Sequence, residues 1–253
     1  MGLTLQIDLA DPDVITGRIT DPGNWTANVR ANRATPKGSA SPSAGSYTLI
    51  IPGTNGSAPA GDGYGAVSVA STGKLKLTGS LADATKLAQS SVASANGQWP
   101  LYVSLYGGQG QLLGWLTFTN GGVEGDLNWI KNPMSSAKFY PGGFDFDTHA
   151  IGSIYHSTAT PLIDFSSGVL ILSGANLPDP VTNVVTVSGN KATGANVTLS
   201  LSASKGTFKG TFVNPPGKSK IPFSGVFLQN RDSGFGYFLG TGVSGSVFFG
   251  PGN

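Results

Sequence analysis

Three stretches of the chain repeat one phrase, and that repetition constrains the fold more than any propensity does. Gly17-Arg-Ile-Thr-Asp21, Gly79-Ser-Leu-Ala-Asp83 and Gly210-Thr-Phe-Val-Asn214 all read Gly-x-apolar-x-Asp/Asn. Each closes an alternating apolar segment that begins 11 or 12 residues earlier, at Leu5, Val67 and Leu199. A fixed phrase at a fixed offset marks a copied supersecondary unit. The two longer copies correspond further. Gly114-Trp-Leu-Thr-Phe118 matches Gly236-Tyr-Phe-Leu-Gly240, and Gly122-Val-Glu-Gly-Asp-Leu127 matches Gly242-Val-Ser-Gly-Ser-Val247. A five-strand unit at 67–130 thus recurs at 197–249, with an abbreviated relative at 3–51.

Period-two alternation with turn residues every 8–12 positions predicts antiparallel strands throughout. Helix builders are scarce: charged residues make up 11% of the chain, Glu124 is its single Glu, and 38 residues are Gly. No segment carries an apolar stripe at helical spacing. The best candidate, Leu81–Ser91, is rich in small residues and reads as a loop or one turn. The predicted fold is all-β and antiparallel, two Gly-rich barrel-like or sandwich modules related by internal duplication. The Pro- and aromatic-bearing stretch 132–148 does not repeat, which divides the chain into modules at 1–132 and 133–253. Glycines at matched positions fit bulges and close approaches that let a sheet curl.

Composition excludes several function classes. The 15 basic residues are scattered and the net charge is +2, so no basic face for nucleic acid exists. No apolar run reaches the roughly 18 residues of a membrane span. Zero Cys removes disulfides, thiolate zinc sites and a Cys nucleophile. Residues Met1 to Asp8 lack the basic and apolar regions of a secretory signal. They abut an amphipathic strand directly, as in a piece of a longer exported chain.

The hairpin 99–118 is the most informative local geometry. A turn at Gly107-Gly-Gln-Gly110 pairs residues whose numbers sum to 217, with Leu101, Val103, Leu105, Leu112, Leu116 and Phe118 on one face. Tyr102, Tyr106 and Trp115 then share the other, Tyr102 directly opposite Trp115. Such a face either stiffens the sheet through cross-strand aromatic pairs or offers a platform on which sugar rings stack. Trp99, Trp129 and Trp25 alternate with apolar neighbours and are expected in cores.

Candidate reactive groups are few. Glu124 and Asp126 lie two apart on one strand, roughly 7 Å along it, within range of a glycosidase carboxyl pair. The matched copy has Ser244 and Ser246 there, so the scaffold itself does not need the acids. Asp8, Asp11 and Asp13, with Asp145 and Asp147, are hard oxygen donors of the calcium type. Asp-Pro-Asp more simply makes a turn, and no EF-hand pattern is present. His149 and His156 lack a nucleophile elbow or metal-ligand spacing and read as surface or interface residues. No cofactor is expected.

Several phrases taken together resemble a known family. Gly61-Asp-Gly-Tyr-Gly65, Gly97-Gln-Trp-Pro-Leu-Tyr-Val-Ser-Leu-Tyr106, Leu113-Gly-Trp-Leu-Thr-Phe118, Trp129-Ile-Lys131 and Gly236-Tyr-Phe-Leu-Gly-Thr241 resemble the C-terminal β modules of large secreted bacterial surface proteins. The resemblance covers nearly the whole chain. It implies an extracellular or cell-surface setting and assigns no catalytic residue. The expected function is a non-catalytic structural or adhesive module that binds polysaccharide through Tyr102, Tyr106 and Trp115. The alternative is a glycoside or lactone hydrolase using Glu124 and Asp126. A third expectation is self-association through unpaired edge strands.

Overall fold

Among the described residues every regular element except two single 3-10 turns is a strand, and every strand pairing is antiparallel. The computed structural model describes residues 1–7, 9–54, 56–159, 161–213 and 219–252. Asp8 and Asn214, the latter closing the third copy of the phrase, lie outside the described residues.

Three bodies follow one another along the chain. β1 (Gly2–Ile7), β2 (Val14–Asp21) and β3 (Trp25–Asn32) form a three-stranded sheet. β4 (Gly45–Ile51), β5 (Gly63–Val69), β6 (Lys74–Ser80) and β7 (Lys86–Val92) form one meander. A second meander comprises β8 (Gln98–Leu105), β9 (Gly110–Thr119), β10 (Gly122–Lys131) and β11 (Phe144–Ile154). β11 pairs with β4, so the two meanders join into one eight-stranded sheet whose ends, β7 and β8, share no backbone ladder. The last body is a closed barrel of β12 (Ser167–Gly174), β13 (Val181–Ser188), β14 (Lys191–Thr193), β15 (Val197–Leu201), β16 (Thr207–Val213), β17 (Lys220–Leu228), β18 (Ser233–Leu239) and β19 (Ser244–Pro251).

The glycine of the repeated phrase has one physical role in all three bodies. Gly17 pairs with Leu5, Gly79 with Gly65 and Gly210 with Leu199. A Cβ at these glycines would stand 2.3 Å from the Thr4 carbonyl, 1.9 Å from that of Tyr64 and 2.3 Å from that of Thr198. In each case the obstacle is the carbonyl just before the paired residue. The neighbouring strand crosses too closely for any side chain, the geometry a strongly coiled sheet needs. The Asp that ends the phrase makes the following turn. Asp83 accepts from the Thr85 backbone N–H (3.0 Å), and Asp21 accepts from Asn24.

An eight-stranded barrel is just wide enough to be filled by side chains. In the first barrel the filling is Trp99, Trp129 and a Leu-rich set, with Phe118 stacked on Trp99 at 5.9 Å between centroids. In the second it is largely phenylalanine, including Phe208, Phe212, Phe223, Phe238 and Phe249. Each such side chain withdrawn from water contributes about 1.5–3 kcal/mol. The two barrels are docked, with Ile50 packed against Val226 and Leu228, and Thr48 Oγ1 donating to the Phe227 carbonyl at 2.8 Å.

The structure corrects four expectations from the sequence. The module boundary is not at 132, because Phe144–Ile154 pairs with both β10 and β4; the division between barrels falls between 154 and 167. Phe144 and Phe146 pack on Trp129, which requires that strand in the first barrel. Lys86–Val92 is a strand, not a loop: Leu87 points into the core and Gln89 lies between the sheet ends. Among the described residues it has no counterpart in the second copy, where β16 pairs directly with β17. Residue numbers in the hairpin sum to 215, because the loop is Tyr106 to Gln109. The slip of two preserves the faces, as period-two geometry demands. Trp25 is 46% exposed, since its sheet has no layer over it.

Candidate functional site

The corrected register redraws the aromatic face. Pro100 now lies opposite Trp115, and Tyr102 lies opposite Leu113, so the two rings are diagonal neighbours rather than a direct pair. Both stay on the outside of the barrel, Tyr102 57% exposed and Trp115 40%. Tyr106 leaves this face altogether. Its backbone takes a left-handed conformation (φ 54°) at the hairpin turn, and its ring folds over the end of the first barrel.

There Tyr106 joins a network that the sequence did not reveal. Its hydroxyl donates to Asp83 Oδ2 at 2.7 Å and accepts from Trp129 Nε1 at 3.0 Å. Lys131 Nζ lies 3.4 Å from Asp83 Oδ2, donates to the Phe139 carbonyl at 2.7 Å, and sits 4.6 Å from the centre of the Tyr106 ring. Burial, then the charge of Asp83, pushes the Tyr106 phenol far above its usual range. The hydroxyl, carboxylate, indole and ammonium groups of this cluster are all bonded, so it acts as a plug that seals the barrel end. The available signal was Asp83, which belongs to the repeated phrase.

Trp115 gains different company. The segment after β3 bonds to the turn before β8: Ala95 N–H donates to the Arg33 carbonyl at 2.8 Å, and Ala34 bridges Ser94. This carries Arg30 and Asn32 to the seam between β7 and β8. A recess of about 240 Å³ opens there, with Trp115, Pro100, Gln98, Val92, Arg30 and Asn32 in its walls. Both amide atoms of Asn32 are buried without a hydrogen-bond partner. An orphaned amide is costly, roughly 1–3 kcal/mol per group. Native structures keep such a group chiefly where something else supplies the bond.

Glu124 and Asp126 do share a face, the outer one, with side chains 57% and 89% exposed. His149 stands between them, Nδ1 2.7 Å from Asp126 Oδ1 and Nε2 3.9 Å from Glu124 Oε2. A general acid at neutral pH needs a dry, apolar setting to hold its proton. Here all three groups are exposed to water. Asp145 and Asp147 both accept from Asn128 Nδ2 at 2.9 Å, while Asp13 pairs with Arg33. No cluster of three or more such side chains with metal-holding geometry occurs among the described residues. Asp8 is outside them. His156 meets the second barrel through its backbone, bonded to Gln229.

A concavity runs between the two barrels. It measures about 640 Å³, with Tyr64, Ala66 and Thr78 on one wall and Ser200, Ser202, Lys205, Thr207, Lys209 and Ser224 on the other. A narrower continuation of about 210 Å³ adds Lys76 and further serines. Neither lining contains a carboxylate. No described helix is long and apolar enough to cross a membrane.

No protein-family model and no curated protein matches the sequence. Among solved structures the chain is similar to intact Ap-TbpB, described with its N and C lobes, at 11% identity and a TM-score of 0.20. The match covers 97% of this chain and 65% of that one, so the chain spans about two thirds of its length. A likeness at that score carries no argument, and the reading of this molecule rests on its own geometry.

Proposed function

We propose that this chain is a non-catalytic binding module of an exported surface protein and that it grips a glycan at the Trp115 recess. One observation carries the reading: the exposed Trp115 indole walls a recess together with Arg30 and Gln98, and the Asn32 amide buried beside it has no partner. A pyranose has one face of C–H bonds, which suits the Trp115 plane, and a rim of hydroxyls, which suits Asn32, Gln98 and Arg30. Tyr102, diagonal to Trp115, extends the stacking surface to a second ring. The exposed, solvated setting of Glu124 and Asp126 favours binding over hydrolysis. The resemblance of the chain's phrases to secreted surface modules supports the extracellular setting.

Isothermal titration against a panel of soluble polysaccharides tests this reading. Trp115→Ala is expected to weaken binding by tenfold or more, about 1.4 kcal/mol, and Asn32→Ala to weaken it with an unchanged fold. Chelators are expected to leave it unchanged. No heat with any polymer, or binding indifferent to both substitutions, overturns it.

A second reading has its own observation. The inter-barrel groove combines Lys76, Lys205 and Lys209 with a hydroxyl lining free of carboxylates, which favours an anionic polysaccharide over a neutral one. Affinity there would fall steeply with salt and respond to Lys205→Ala with Lys209→Ala, but not to Trp115→Ala.

A further inference from the structure

The three-stranded sheet of β1 to β3 shows the same repeated unit as the barrels, yet without anything to close it. Its register places Leu3, Leu5, Ile7, Ile15, Ile19 and Val29 on one face, and Trp25 extends that face. The opposite face carries Thr4, Gln6, Thr16, Arg18, Asn28 and Arg30. The sheet therefore has the alternation of a half-buried element.

Aligning the three copies on the phrase glycine gives each apolar position a counterpart. Ile7 corresponds to Val67 and Leu201, which are 2% and 6% exposed, and Ile15 to Leu77 and Phe208, which are 1% and 2% exposed. Ile7 itself is 59% exposed, Leu5 55% and Leu3 60%. The same face that lines the interior of two barrels thus lies open to water in the third copy. In both barrels what covers it is further strands of the same repeated kind.

We infer that this face is an association surface for a second copy of the chain, whose own β1 to β3 sheet supplies the missing layer. Three observations favour that occupant. The face carries a single charged side chain, Asp21 beside Trp25 at its end, so most of it meets a two-fold-related copy without like-charge repulsion. The copies within this chain show the unit's face covered by its own kind. The area fits a weak pairing: strands spaced about 4.8 Å apart, with a rise of about 3.4 Å per residue, give a face of roughly 14 by 25 Å. Two such faces packed together cover about 700 Å², the size of a weak, concentration-dependent association. This association runs through a face, whereas the one expected from the sequence runs through strand edges. It is independent of the glycan recess.

Light scattering coupled to size exclusion, from low-micromolar to sub-millimolar protein, reads the outcome directly. The expected result is a mass rising from one chain to two, with a blue shift of Trp25 emission, isolated by comparison with Trp25→Phe. Leu5→Asp and Ile7→Asp, each on the exposed face, should hold the protein at one chain's mass while the thermal transition of the barrels is unchanged. Two results overturn the inference: a mass of one chain at every concentration, or a twofold mass that survives both substitutions. Association abolished by Trp115→Ala but not by Leu5→Asp would place the contact elsewhere and also overturn it.

Discussion

The two barrels share a repeated unit but close in different ways, and the difference lies in one strand. The second barrel is continuous: all eight of its strands pair through the backbone, β12 with β19 included. The first contains β7, which among the described residues has no counterpart in the second copy, and the ladder fails between β7 and β8. Side chains close that gap. Gln89 on β7 donates to the carbonyl of Tyr102 at 3.1 Å and accepts from Trp99 Nε1 at 3.1 Å. Backbone closure needs only matched registers and is indifferent to sequence. Side-chain closure depends on one glutamine and exposes strand edges, and at one end of that seam lies the recess beside Trp115. The lesson is that a duplicated scaffold gained a concavity where its copy lost continuity.

The barrel ends differ as well, and there the largest effect is expected. Lys131→Met leaves Asp83 charged and buried at the end of the first barrel, with a cost of about 3–5 kcal/mol. Replacing both partners, Lys131→Met with Asp83→Leu, should recover most of that loss. Calorimetry should show the first barrel's transition falling while that of the second holds; equal shifts in both would deny the plug a local role.

Closure can be compared through the phrase glycines. Gly210→Ala sits in a barrel with no seam, against the Thr198 carbonyl and the Phe223 ring, and should cost about 3 kcal/mol. Gly79→Ala meets its carbonyl more closely, but its barrel can relieve the strain by opening at β7 and β8, so about 2 kcal/mol is expected. A larger loss at Gly79 would mean that the seam is as stiff as a ladder.

Gln89→Ala removes the bridge itself and orphans the Trp99 N–H, a loss of about 1–3 kcal/mol. Amide exchange in β7 and β8 should quicken before it does anywhere in the second barrel. The gentlest test concerns the contact between the barrels. Asp62 accepts from the Gly53 backbone N–H, and its own N–H donates to the Gly236 carbonyl. Burial raises its carboxyl to about 6, from 3.8. The folded state then holds a proton that the unfolded chain releases. Its contribution is fully present below pH 4 and is lost as pH rises through about 6. Asp62→Asn should stabilise the protein by about 1–2 kcal/mol at pH 7–8 and by little near pH 4. A gain that does not depend on pH would exclude this cause.

Much of the architecture was legible because period-two patterning is a local property. Alternation gave the antiparallel strands, and the hairpin faces survived a register error of two. Trp99 and Trp129 were rightly placed in a core. Three failures share a cause. Trp25 shows the alternation of a core residue, but alternation cannot say whether a second layer exists. Tyr106 sits one residue beyond its strand, where a left-handed backbone turns the ring inward. Lys86–Val92 carries an inward Gln89, which breaks the apolar pattern because its task is to bridge two strand edges.

The candidate site was less legible still. Trp115 was visible as an outward ring, whereas Asn32 and Arg30 reach it from a sheet more than eighty residues away. By itself, then, the sequence determined the strands, their faces and the copied unit, since these follow from neighbours along the chain and from steric rules at each glycine. The tertiary structure alone decided which sheet closes, which seam stays open and which polar groups meet there. Those outcomes depend on distant strands competing for the same edges and the same apolar faces.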